Sequence, residues 1–75
     1  MPKLPVLSGR EVIKALSKIG FEAKRQRGSH IILVKRTKEG KRALVVPNHK
    51  EIDKGTLIEI IRQAGLKREE FLKLL

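Results

Sequence analysis

The chain has no cysteine, no tryptophan and no tyrosine, and only two phenylalanines among its 75 residues. Without cysteine, neither a disulfide framework nor a thiolate metal site can reinforce the core, and this absence fits the cytoplasm. It also leaves histidine as the only side chain that readily exchanges protons near neutral pH. With Phe21 and Phe71 both at apolar-face positions, ring platforms for nucleobases are lacking, which favours recognition of backbone and shape. Long hydrophobic runs are missing too. The longest aliphatic stretches, Ile31–Val34 and Ala43–Val46, are far too short for a bilayer, and the start lacks the apolar stretch of a signal peptide. A soluble protein without a membrane role is expected.

Acidic residues are the other scarcity. Eight Asp and Glu stand against eighteen Lys and Arg, a formal net charge of +10. Such an excess predicts a polyanionic partner, and nucleic acid ranks first. A membrane surface fits less well, because the basic residues are spread along the chain instead of lining one amphipathic helix. Hydrophobic residues make up 40%, enough for one compact core, so residues 1–75 read as one domain.

The opening Met1–Leu7 contains two prolines and reads as an extended arm. Ser8-Gly9-Arg10-Glu11 is a capping-box pattern, followed by Val12, Ile13, Leu16 and Ile19 at helical spacing and a stop at Gly20. A helix over about 9–19 is expected. Phe21 to Gln26 alternates apolar and polar, Arg27-Gly28 makes a tight turn, and a β-branched strand runs from about Ser29 to Arg36. After a turn at residues 37–41, Arg42 to Val46 forms a third strand, ended by Pro47. Asp53 caps a second helix carrying Leu57, Ile58, Ile60, Ile61 and Ala64, and Gly65 stops it. Lys67–Leu75 reads as a short terminal helix with acids in its first turn.

The fold class is therefore α+β, in the order α-β-β-β-α plus a short C-terminal helix. Two helices cover only one face of a three-stranded antiparallel sheet. Strand two, however, is apolar on both faces, with Ile31 and Leu33 on one and Ile32 and Val34 on the other. A partner chain or the tail, through Leu72, Leu74 and Leu75, is expected to cover the second face.

His30 is the first candidate for chemistry. Its strand face, shared with Ile32 and Val34, taken alone suggests a partly buried structural histidine. Against that, Arg25, Arg27, Lys35 and Arg36 surround it in sequence, and Gly28 lets a polymer backbone approach the strand end. RNA supplies matching chemistry: a base taking the proton of a ribose 2′-hydroxyl makes that oxygen attack the adjacent phosphorus, while cations stabilise the added charge. His49, in the loop before the second helix, is either the acid for the leaving 5′-oxygen or a structural residue. Lys50 and Lys54 flank the start of that helix, where backbone N–H groups also favour anions. Ser29 reads as a strand-end residue. The histidines and nearby Glu51 and Asp53 match no recognised zinc spacing, so neither a metal nor any other cofactor is expected.

Three stretches, "SGREVIKALSKIGF", "RGSHIIL" and "VPNHKEIDKGTLIEIIRQAGL", resemble the HicA toxins of bacterial and archaeal toxin–antitoxin pairs. The resemblance runs from Ser8 to about Leu66. It implies a double-stranded-RNA-binding-like fold and an mRNA-cleaving ribonuclease that acts without the ribosome. The histidine of its Gly-Ser-His motif is catalytic, which carries over to His30, with Gly28 beside it. It also implies a HicB-like antitoxin partner that covers and neutralises the toxin. Where the family often has an aromatic after Gly-Ser-His, this chain has Ile31-Ile32-Leu33. The expectation is a metal-independent endoribonuclease held on mRNA by Arg25, Arg27, Gly28, Ser29, Lys35, Arg36, Lys50 and Lys54. The alternatives are a non-catalytic double-stranded-RNA-binding module and a binding partner for an acidic protein.

Overall fold

A computed structural model of the chain describes residues 3–75; Met1 and Pro2, the first two positions of the expected arm, lie outside the described residues. The order is α1 (Gly9–Ser17), β1 (Glu22–Arg27), β2 (His30–Thr37), β3 (Gly40–Pro47), α2 (Lys54–Gln63) and α3 (Arg68–Leu72). The capping box forms in full: Ser8 Oγ accepts the Glu11 N–H at 3.1 Å, and Glu11 Oε1 accepts the Ser8 N–H at 3.0 Å. α1 ends at Ser17, two residues before the expected helix end at about residue 19. Its last N–H groups, from Lys18 and Ile19, bond to the carbonyls of Ala15 and Leu16, three residues back, and tighten the chain toward Gly20.

The strands form an antiparallel meander in the order β1-β2-β3. Directly opposed residues share a face, so the register sorts the side chains. Ile31 opposite Val46 and Leu33 opposite Leu44 face the helices. Leu33, Leu44 and Val46 are buried there against Val12, Ala15 and Leu16 of α1 and Leu57, Ile60, Ile61 and Ala64 of α2. Ile58, expected in that stripe, is instead 39% exposed, because its position turns it away from the sheet. Arg42 Nη1 donates to the Gln63 carbonyl at 3.0 Å and so occupies one of the free carbonyls at the end of α2.

The opposite sheet face carries Ile32, Val34, Ala43 and Val45, the first two half-buried and the last two exposed. The tail does not cover it. α3 packs beside α2, Phe71 is fully buried in the core, and Lys18 Nζ donates to the Leu74 carbonyl at 2.7 Å. The short terminal helix thus completes the helix layer and leaves the second face open. Among the described residues no helix is long and apolar enough to cross a membrane.

Candidate active site

Three connections meet at one end of the sheet. In the β1–β2 turn, Gly28 has φ +58° while Ser29 keeps a negative φ, the combination that a two-residue II′ hairpin needs. A side chain at Gly28 would meet nothing within 4 Å. Glycine therefore serves the turn and leaves the strand end open from above. The Ser29 carbonyl accepts the Asn48 N–H at 2.6 Å, tying this turn to the connection between β3 and α2. That connection in turn holds the start of α1: the His49 carbonyl accepts the Gly9 N–H at 2.9 Å, and the Leu7 carbonyl accepts the Ile52 N–H at 2.8 Å.

His30 is the first residue of β2, paired with Arg27 on one side and Pro47 on the other. Its side chain is exposed, and its imidazole makes no hydrogen bond among the described residues. The partly buried structural histidine suggested by the strand alternation is not what the fold builds. The apolar neighbours Ile32 and Val34 share its face, but nothing packs over that face.

Arg25 and Arg27 reach His30's face through an irregularity. Continuous alternation from Glu22 would send them to the helix side with Ala23. Instead the register shifts between Ala23 and Arg25, leaving Lys24 as the extra residue of a β-bulge. Beyond it, Arg25 lies opposite Ile32 and Arg27 opposite His30, so both guanidinium side chains share the open face.

Lys35 and Arg36 are not brought to His30. They lie five and six residues further along β2, roughly 17–20 Å away at strand spacing. Lys35 Nζ sits 5.7 Å from the centre of the Phe21 ring, a cation–π contact. Arg36 pairs with Lys41. His49 and Lys50 are exposed in the loop bonded to the β1–β2 turn, and Lys54 is the exposed first residue of α2. Arg10, in the first turn of α1, joins the same end through the Gly9–His49 bond. No sequence spacing points to it, since the association rests on a tertiary hydrogen bond. Both longer helices begin at this end, so their positive dipole ends add to its cations.

The Asp53 carboxyl is held below its ordinary range, chiefly by the Thr56 hydroxyl, which donates to it at 2.7 Å, and then by the Thr56 backbone N–H. Asp53 is thus engaged as the α2 cap. Among the described residues, no group of three or more His, Asp or Glu converges as a metal site would require.

The arrangement is an exposed imidazole with free ring nitrogens, beside two arginines on an open strand end, facing solvent with room for a polymer. It suits proton transfer at a phosphate-bearing substrate. No curated protein matches the sequence. The family model described as the HicA toxin of bacterial toxin–antitoxin systems matches residues 9–66, which is most of the chain and includes every element that builds this end of the sheet. The chain belongs to the HicA toxin family.

Proposed function

We propose that the protein is the toxin of a type II toxin–antitoxin pair and acts as an endoribonuclease on mRNA, with His30 as its catalytic base. The observation that carries this reading is the position of His30: exposed, without a hydrogen-bond partner, on the same open face as Arg25 and Arg27. A histidine kept for packing would be buried or bonded. This one is presented to solvent where a phosphate would be held.

In the proposed reaction, the His30 imidazole removes the proton from a ribose 2′-hydroxyl. The 2′-oxygen then forms a bond to the adjacent phosphorus, the bond from phosphorus to the 5′-oxygen breaks, and that oxygen takes up a proton. Arg27 and Arg25 stabilise the charge that accumulates on the non-bridging oxygens. His49, in the neighbouring loop, is the candidate donor to the leaving oxygen. The products are a 2′,3′-cyclic phosphate and a 5′-hydroxyl, and no metal takes part in any of these steps. Ser29, Lys50 and Lys54 support the strand around the reacting phosphate. Opposing it is a HicB-like antitoxin, and cytoplasmic mRNA is the substrate.

Single-turnover cleavage of labelled single-stranded RNA in EDTA tests the reading, with RNA binding measured in parallel. Wild type cleaves and His30→Ala loses cleavage by at least about 10²-fold, the scale of a lost general base, while both bind RNA. Binding by both without cleavage by either makes the chain a non-catalytic RNA-binding module. Products ending in 5′-phosphate would refute the 2′-hydroxyl route.

A further inference from the structure

A second groove is found away from His30. It lies at the opposite end of the sheet, has a volume of about 510 Å³, and is lined by Gly20, Glu22, Lys24, Val34, Lys35, Arg36 and Lys41. Four cations share it with one carboxylate, and that carboxylate is already engaged, since Lys24 Nζ lies 2.9 Å from Glu22 Oε2. Lys24 pulls the Glu22 carboxyl below its ordinary range, with a smaller contribution from Arg36. Positive charge concentrated in a groove focuses a field that attracts polyanions.

The register places Glu22, Val34, Arg36 and Lys41 of this groove on the same face as His30, while Lys35 and Gly20 border it from the helix side of the sheet. Glu22 lies opposite Val34 and Arg36 opposite Lys41, on the face that β2 presents at His30, Ile32 and Val34. The bulge that redirects Arg25 and Arg27 toward His30 also provides Lys24, so one irregularity supplies cations to both ends. Between the ends lie Ile32, Val34, Ala43 and Val45, an aliphatic strip flanked by one carboxylate, Glu22 opposite Val34, which Lys24 pairs.

We propose that this groove is a second phosphate site, which grips the RNA strand roughly 20 Å along β2 from His30, so that firm binding requires a minimum length of RNA. The proposal rests on the reading of the chain as an RNA-cleaving toxin and adds a length requirement to it. At the per-strand rise of about 3.4 Å in stacked nucleic acid, the span is about six nucleotides, and fewer when the strand is drawn out. Shorter strands reach only the His30 end.

The test uses 2′-O-methyl RNA, which lacks the attacking hydroxyl, in lengths from about three to about twelve nucleotides. Binding is read by fluorescence anisotropy at several salt concentrations for wild type, a Lys24→Ala/Lys41→Ala double variant and Glu22→Gln. With long strands, the double variant binds more weakly, and its salt slope falls by about 1.4, at about 0.7 per lost phosphate contact on single strands. With the shortest strands, it matches wild type. Glu22→Gln, which removes the carboxylate of the groove, tightens binding of long strands only, a gain that misfolding does not imitate. Equal changes at every length, or none at any length, overturn the proposal, and the latter outcome assigns the groove to an acidic protein. Failure of wild type to bind RNA overturns both this and the nuclease reading. Length-dependent binding, with unmodified RNA left uncut by wild type, overturns the nuclease reading alone.

Discussion

His30 and Gly9 show how differently two residues at one end of a sheet are constrained. His30 touches nothing that its removal would disturb, so His30→Ala leaves thermal stability nearly unchanged, within about 0.5 kcal/mol as for ordinary surface positions. A loss of cleavage in that variant is then a loss of chemistry. Gly9 is the reverse case. It is buried in the first turn of α1, and a β-carbon there would overlap the Pro47 carbonyl oxygen and come within 3.0 Å of the Asn48 Cα. Both obstacles are backbone atoms of the connection that carries His49, so they cannot swing aside as a side chain could. Gly9→Ala is expected to cost about 1–3 kcal/mol, measured as a shift in the urea midpoint. It also displaces the loop joined to the β1–β2 turn, so cleavage falls even at temperatures where the variant remains folded.

At the scale of elements, caps and turns determine where the cations stand. α2 begins at Asp53, whose carboxylate accepts both the Thr56 N–H at 3.1 Å and the Thr56 hydroxyl at 2.7 Å. Those bonds favour the ionised form, so the carboxyl is more acidic in the folded chain than in the unfolded one. A depressed value of this kind contributes stability above the unfolded value, and that contribution is lost as pH falls through the folded value. Comparison of wild type with Asp53→Asn, a cap that cannot titrate in this way, is expected to show a wild-type advantage at neutral pH. It shrinks as pH falls below about 4, the unfolded range of an aspartate. Urea midpoints across that range provide the measurement, and a gap independent of pH would contradict the assignment. The β1 bulge has the corresponding role in the sheet, since a one-residue shift exchanges the two faces. Deleting Lys24, the extra residue of the bulge, is expected to leave Ala23 opposite Leu33 and Arg25 opposite Ile32, so Arg25 and Arg27 keep the open face and anisotropy shows that short RNA strands still bind.

For the molecule as a whole, the family match ends at residue 66 while the core does not. Phe71 is fully buried, and Leu74 packs against the same cluster. In so small a chain one aromatic is a large share of the apolar burial. Phe71→Ala is therefore expected to destabilise the fold by about 3–5 kcal/mol, the usual scale for an aromatic removed from a core. A change under about 1 kcal/mol in the urea midpoint would show that the tail is an accessory to the fold. Because α3 completes the helix layer, the opposite sheet face remains open with cations at both ends. On the proposed function, that is the surface that holds RNA, and its RNA affinity is expected to fall with salt.

Much of this was determined by local chemistry and could be read from the sequence. The Ser8–Glu11 box, the Asp53–Thr56 cap, the Gly28 turn and the period-two strands each depend on residues a few positions apart, so their spacing predicts them. Membership of the HicA family was legible for the same reason, because its signature lies in short motifs: Arg27-Gly-Ser-His30 and the run from Pro47 through Leu57. What depends on strand pairing and packing was not legible. Alternation alone puts Arg25 and Arg27 on the wrong face, because a bulge becomes visible only when two strands are in register. Nearness in sequence put Lys35 and Arg36 beside His30, whereas an extended strand carries them to its far end. Only the folded chain decided that the tail covers the helix side, that His30 therefore stays exposed, and that its cations divide into two clusters. Each of those outcomes depends on which surfaces meet, and contacts between distant residues leave no periodic trace in a single sequence.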